Sequence, residues 1–137
     1  MASAAPQGTS PAVSNAARFP GAVLHALQAR KEVTIVTGPA AQPRATIIWV
    51  VVDGSDRVWV RSVRGARGQW YRDLMADPRA VIDLGEGEIS VSAMPSSDEQ
   101  SVQACTEALR AKYAGNASLA SMLAPDTLPT TIQLVPR

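Results

Sequence analysis

Six arginines crowd a single 23-residue window: Arg57, Arg61, Arg64, Arg67, Arg72 and Arg79, with only Asp73 and Asp77 as acids among them. A guanidinium presents a planar fork of donors that meets paired oxygens, so this density suits a phosphate. Arg61-Ser62 followed by Gly65 and Gly68 has the makings of a phosphate cradle, because glycine lets backbone amides approach an anion. A structural alternative stands beside it. Residues 80–107 hold six acids (Asp83, Glu86, Glu88, Asp98, Glu99 and Glu107) and no base, and the arginines can pair with these across the fold or a subunit interface. Trp59, and Trp70-Tyr71 next to Arg72, offer broad amphipathic surfaces that could flank a flat ring; the bland reading makes Trp70 core and Trp59 interface. Tyr71 adds a hydroxyl donor, which makes it the candidate catalytic side chain. Trp49, inside the most apolar stretch, reads as core.

Little else in the chain is equipped for chemistry. His25 has no nucleophile in any recognised arrangement, and Cys105 lies on an apolar helical stripe as an inert thiol. One histidine and one cysteine cannot build the usual zinc site or an internal disulfide. No nucleotide-type glycine fingerprint, phosphate-binding Walker loop, serine elbow or zinc-protease helix occurs. A bound flavin would bring its own redox chemistry and ask the protein only to hold and tune it.

These residues must be positioned by one domain, since 137 residues fill a single core of ordinary size. Residues 1–18 are rich in Ala, Ser and Pro and read as a disordered lead-in, or as a strap over a partner subunit; residues 19–137 form the domain. The lead-in lacks the pattern of a secretory signal, and no apolar stretch is long enough to span a membrane. A cytoplasmic location is the default. A net charge of +1 argues against a nucleic-acid partner. With 46% apolar and 18% charged residues, the composition points to a buried subunit interface, hence a homodimer.

The patterning predicts a short helix after Pro20, a strand over 33–37, a loop over 38–44, and one strand over 46–52 buried on both faces. Asp53-Gly54 marks a hairpin into a strand over 57–63. Gly65 and Gly68 open a flexible loop before a helix over 69–77. Strands over 80–84 and 88–94 follow, then a helix entered through a Ser96–Glu99 capping box, a turn or two of helix near 117–122, and a last strand over 130–135. Six strands with tight hairpins predict a small, mainly β barrel with flanking helices.

Several strings in this order resemble the DUF2255 family, small proteins related to the FMN-binding split barrels and, more distantly, to deazaflavin-dependent nitroreductases. They are Ile47-Ile48-Trp49-Val50-Val51-Val52-Asp53-Gly54, then Val58-Trp59-Val60-Arg61-Ser62, Gly68, Trp70-Tyr71-Arg72, Lys112-Tyr113 and Thr130-Thr131-Ile132-Gln133-Leu134-Val135-Pro136. The resemblance implies a six-stranded split β-barrel, paired as a homodimer, with FMN or a deazaflavin in the groove between subunits. Arg61, Ser62, Arg64, Gly65, Trp59, Trp70 and Arg72 would bind the cofactor, and Tyr71 would stand beside the reaction. Between the first two strands the deazaflavin relatives are basic and hydroxyl-rich, whereas this chain has Gly38-Pro39-Ala40-Ala41-Gln42-Pro43-Arg44. Phosphate binding would then be weaker, or rest entirely on the segment from Arg61 to Arg72. The implied activity is oxidoreduction of a small organic molecule. Its alternative is a cofactor-free protein that binds a small ligand or catalyses a cyclisation or isomerisation.

Overall fold

The computed structural model describes residues 18–137; apart from Arg18, the expected lead-in lies outside the described residues. Helix α1 (Gly21–Ala29) starts on Pro20, whose carbonyl accepts from the amides of Val23 and Leu24, and it drives Leu27 into the core. Strand β1 (Val33–Thr37) buries every second residue, as a strand with one face on a core must. The sheet has seven strands, all antiparallel, in the order β2-β1-β5-β6-β7-β4-β3. Its members are β2 (Arg44–Ile48), β3 (Val51–Val52), β4 (Val58–Val60), β5 (Arg79–Asp83), β6 (Glu88–Pro95) and β7 (Ile132–Pro136).

The two edge strands are the halves of the single strand expected over 46–52. Only Trp49 and Val50 separate them, so the sheet curls until its ends meet in one stretch of chain. The count among the described residues is therefore seven strands, not six. At the break the chain leaves β1 as its partner and takes β4. Val50 turns into the barrel core, while Trp49 turns onto the ring of Tyr113. The run is not buried on both faces throughout. Val51 is covered by α3 (Glu99–Lys112), whereas Ile47 on β2 is 67% exposed.

The barrel is filled by Ile35, Val60, Ile82, Val91 and Leu134 among others, closed at one end by Leu27 of α1 and by Trp70 and Leu74 of α2 (Gln69–Ala76). A second cluster lies between the barrel wall and α3, where Trp59, Cys105, Leu109 and Met122 of α4 (Leu119–Met122) pack together. Each such buried side chain removes enough apolar surface to contribute roughly 1.5–3 kcal/mol. Helix α3 is capped by Asp98, whose carboxylate accepts from the Ser101 amide at 3.1 Å. The predicted box fails because the Ser96 hydroxyl donates instead to the Met94 carbonyl. No helix among the described residues is long and apolar enough to cross a membrane.

The strand predicted over 57–63 stops at Val60 because its next backbone groups bond elsewhere. The Ser62 amide donates to the Thr130 hydroxyl at 3.0 Å, and the Ser62 carbonyl accepts from Gly65. The glycine loop is likewise not open. Residues Gly65–Arg67 form a 3-10 turn packed against a second one, Pro125–Thr130.

Candidate functional site

A cavity of about 370 Å³ opens at the strand break, walled by Ile48, Trp49, Arg61, Trp70 and Met122 with Ile47 and Val63 at its lip. The sequence thus brings two of its predicted residues, Arg61 and Trp70, to one place. Trp70 is held there because α2 begins at Gly68 and turns this ring against the barrel.

Arg61 is the anomaly of the site. It is only 2% exposed, and no carboxylate among the described residues lies within ion-pair distance of it. Its Nε donates to the Thr131 hydroxyl at 3.1 Å, Nη1 to the Thr106 hydroxyl at 3.1 Å, and Nη2 to the Val102 carbonyl at 3.0 Å. A longer contact of 3.4 Å reaches the Met122 carbonyl. Burial lowers its pKa, but a guanidinium stays charged in proteins. The charge is therefore solvated by neutral oxygens alone, and one Nη2 hydrogen is left without a protein acceptor among the described residues.

The remaining predicted residues are placed otherwise. The Ser62 hydroxyl donates to the Gly65 carbonyl at 2.8 Å, and the Gly65 and Gly68 amides donate to Ser62 and Gly65 carbonyls. The cradle's donors are spent on its own turn, so they do not face an anion. Trp59 is fully buried; its Nε1 donates to Asp53 at 2.8 Å, and no edge of the ring reaches the cavity. Arg64 and Arg72 are exposed, and Tyr71 is half-buried against the barrel core.

The arginine window does not pair with the acidic segment that follows it. Arg57 takes Asp53 and Arg79 takes Asp77, both at 2.9 Å and both local. Asp53 closes the hairpin. Burial would raise its pKa, but hydrogen bonds from Trp59, Arg57 and Ser55, with the Arg57 charge, bring it below the usual value.

Three residues to which the sequence assigned no ligand role support the strand break, and of these Trp49 lines the cavity. Trp49 stacks on Tyr113 at 3.8 Å with the rings 7° apart, and the Tyr113 hydroxyl donates to the Lys31 carbonyl at 2.6 Å. Lys112 donates to the Val50 carbonyl at 2.6 Å and to the Leu27 carbonyl at 3.0 Å, fixing the break from behind. The available signal was Lys112-Tyr113 at the end of an amphipathic helix. A larger trough of about 910 Å³ along α3 is lined by Glu99, Gln103, Glu107 and Arg110 and contains none of the predicted residues. Among the described residues no three His, Cys, Asp or Glu side chains gather as a metal site would need.

The same architecture recurs in solved structures of low sequence identity. A NimC/NimA family protein from Clostridium acetobutylicum superposes with a TM-score of 0.59 at 15% identity, covering 90% of this chain and 86% of its own. The heme storage protein HutZ from Vibrio cholerae gives 0.58 at 15% identity, with coverage of 88% and 91%. A candidate pyridoxamine 5′-phosphate oxidase from Listeria innocua gives 0.57 at 14% identity, with coverage of 85% and 90%. No curated protein matches the sequence. The family described as "Uncharacterized protein conserved in bacteria (DUF2255)" matches residues 23–134. The chain, a split barrel in fold, therefore belongs to the DUF2255 family.

Proposed function

We propose that the cavity at the strand break binds a flat, anionic small molecule of the flavin type, FMN or a deazaflavin, and that the protein serves as an oxidoreductase of small organic molecules. The observation that carries this reading is Arg61, a buried cation with no carboxylate within ion-pair distance among the described residues, set in a cavity that Trp49, Trp70, Lys31 and Glu32 also line. The residues fit a ring and one negative charge. They do not fit a phosphate cradled by glycine amides, because those amides are internally bonded. When bound, a flavin would supply hydride or electron transfer. The chain's own residues would orient it, with Trp49 and Trp70 as walls and Arg61 toward the anion, while Tyr71 does not line this cavity and would act only through the packing of α2. A second copy would close the lip at Ile47 and Val63, making the working unit a homodimer. The internally satisfied Ser62–Gly68 turn favours a second reading, a cofactor-free site for a small carboxylate ligand.

Titration of the protein with FMN and with riboflavin, read by tryptophan fluorescence, tests the assignment. Saturable quenching by FMN is expected, with riboflavin weaker by roughly tenfold or more, the scale of a lost charged hydrogen bond of about 1.5–3 kcal/mol. Arg61→Gln should erase that difference. Equal binding of both compounds removes Arg61 from phosphate recognition, and no saturable quenching favours the cofactor-free reading.

A further inference from the structure

Lys31 and Lys112 are the only lysines in the chain; arginine fills every other basic position. Both line one cavity of about 440 Å³ between the C-terminal ends of α1 and α3, next to the Arg61 cavity, with which it shares Lys31 and Asn116. No acidic side chain lines it, and Arg30 stands on its wall, tied at 2.9 Å to Glu86. An ammonium has three donors, and the protein takes two of those on Lys112, through the carbonyls of Val50 and Leu27.

We infer that this cavity is an imine-forming site, in which the Lys112 amine condenses reversibly with a small anionic aldehyde whose charge faces Lys31 and Arg30. Lysine, unlike arginine, can act as a nucleophile once it loses its proton. Burial pushes the Lys112 pKa down to about 8. Desolvation is the sole cause, although Arg30, Lys31 and Tyr113 share the cavity and Glu32 follows Lys31. In the condensation a C–N bond forms and the carbonyl oxygen departs as water. That water carries two of the three ammonium protons, and the iminium keeps the third. No oxidant or reductant is needed. The retained N–H still reaches the Val50 carbonyl, the nearer of its two acceptors, and the Leu27 carbonyl is released. The Tyr113 hydroxyl is held by the Lys31 carbonyl and takes no part in the proton transfers. The reacting amine of Lys112 lines only this cavity, whereas Lys31 stands between the two.

The full chain is incubated with pyridoxal 5′-phosphate and then with borohydride, which reduces an imine to a stable amine, and the modified residue is mapped by mass spectrometry. Lys112 is expected to carry the adduct in about tenfold excess over Lys31, with pyridoxal, which lacks the phosphate, about tenfold less effective. Labelling should climb as the pH passes about 8. Lys31→Arg, which leaves Lys112 as the only side-chain amine, should retain the adduct, and Lys112→Arg should lose it. Should Lys112→Arg fail to fold, labelling of the native chain in denaturant decides instead, because the preference for Lys112 must vanish on unfolding. Adduct confined to Lys31 or the amino terminus, equal labelling of both lysines, or equal labelling by pyridoxal overturns the assignment.

Discussion

A methyl group added at Gly68 would lie 2.4 Å from the Ser62 hydroxyl oxygen, and one at Gly65 would lie 2.9 Å from the Asp126 carbonyl oxygen. Gly65 also has a φ of +64°, which L side chains adopt only with strain. Gly68→Ala should therefore destabilise the protein by about 1–3 kcal/mol, the usual scale of overpacking. Ser62→Ala removes the clashing oxygen but leaves the Gly65 carbonyl without its hydroxyl donor, a loss of about 1 kcal/mol. The double variant should be more stable than the sum of the two, by about 0.5–3 kcal/mol of coupling. Urea melts of the four proteins measure this, and strict additivity would show that the turn relaxes without Ser62. The same turn shows what residue types can and cannot reveal. Arginine, serine and glycine in this spacing were legible as a cluster rich in donors, yet spacing along a chain does not say where the donors point. Here they point into the turn itself and, for Arg61, into the oxygens of α3 and of the residues before β7. Trp59 was missed for a related reason: strand alternation puts it on the arginine face, and α3, remote in sequence, covers that face.

Helix α3 and its C-cap residue Tyr113 carry three groups whose ionisation burial opposes. Desolvation raises Cys105 to about 11 from 9.0 despite the pull of the Arg61 charge, and raises Tyr113 to about 12 from 10.0. It lowers Lys112 to about 8 from 10.5. Between pH 8 and 10.5 the unfolded chain keeps a lysine proton that the folded chain has shed, so stability gains with pH across that window. Cys105 and Tyr113 act in reverse. Above pH 9 and 10 respectively the unfolded chain releases protons that the folded one retains, and stability falls until about pH 11 and 12. The urea midpoint should rise from pH 8 to 9, stay level to about pH 10 where the lysine and thiol contributions cancel, and decline beyond, and Cys105→Ala should extend the rise to about pH 10. A midpoint that is flat from pH 8 to 9 would mean that the Lys112 ammonium is hydrated in the folded state. At this scale most elements were readable. The helices over 21–29 and 69–76, strand β1 and the β5–β6 hairpin follow from period and punctuation. The break at Trp49-Val50 was not, because an all-apolar run without glycine or proline carries no mark of where its partner changes. That change is imposed by the curl of the whole sheet.

For the molecule as a whole, two of the four exposed large hydrophobics among the described residues, Ile47 and Val63, line one cavity, while Met75 and Met94 lie elsewhere in the sequence. Register places Val36 beside Ala45 and Val81, and Thr34 beside Ile47, on the outward face of β2, β1 and β5. Ile47 and, across the cavity mouth, Val63 are 67% and 49% exposed. Such residues at the lip of one cavity suit a self-complementary interface, since a two-fold axis through this lip would cover both copies of the patch and both cavities. A stable pair needs about 1,000 Å² or more of total buried surface. Light scattering should give a dimer mass for the native chain at micromolar concentration, and Ile47→Glu should give a monomer, because two carboxylates would then face each other in an apolar seam. Ile47 contributes little to the barrel core, so the thermal midpoint of the monomeric variant should fall only by the share of stability that association supplies. If the native chain is itself a monomer, the patch is not a self-interface and the cavity must bind its ligand within one copy. If Ile47→Glu remains dimeric, the two-fold axis lies elsewhere on the barrel. A monomeric variant that also binds FMN more weakly than the native dimer would tie the two observations together: the lip that pairs the subunits is then the lip that closes the ligand site.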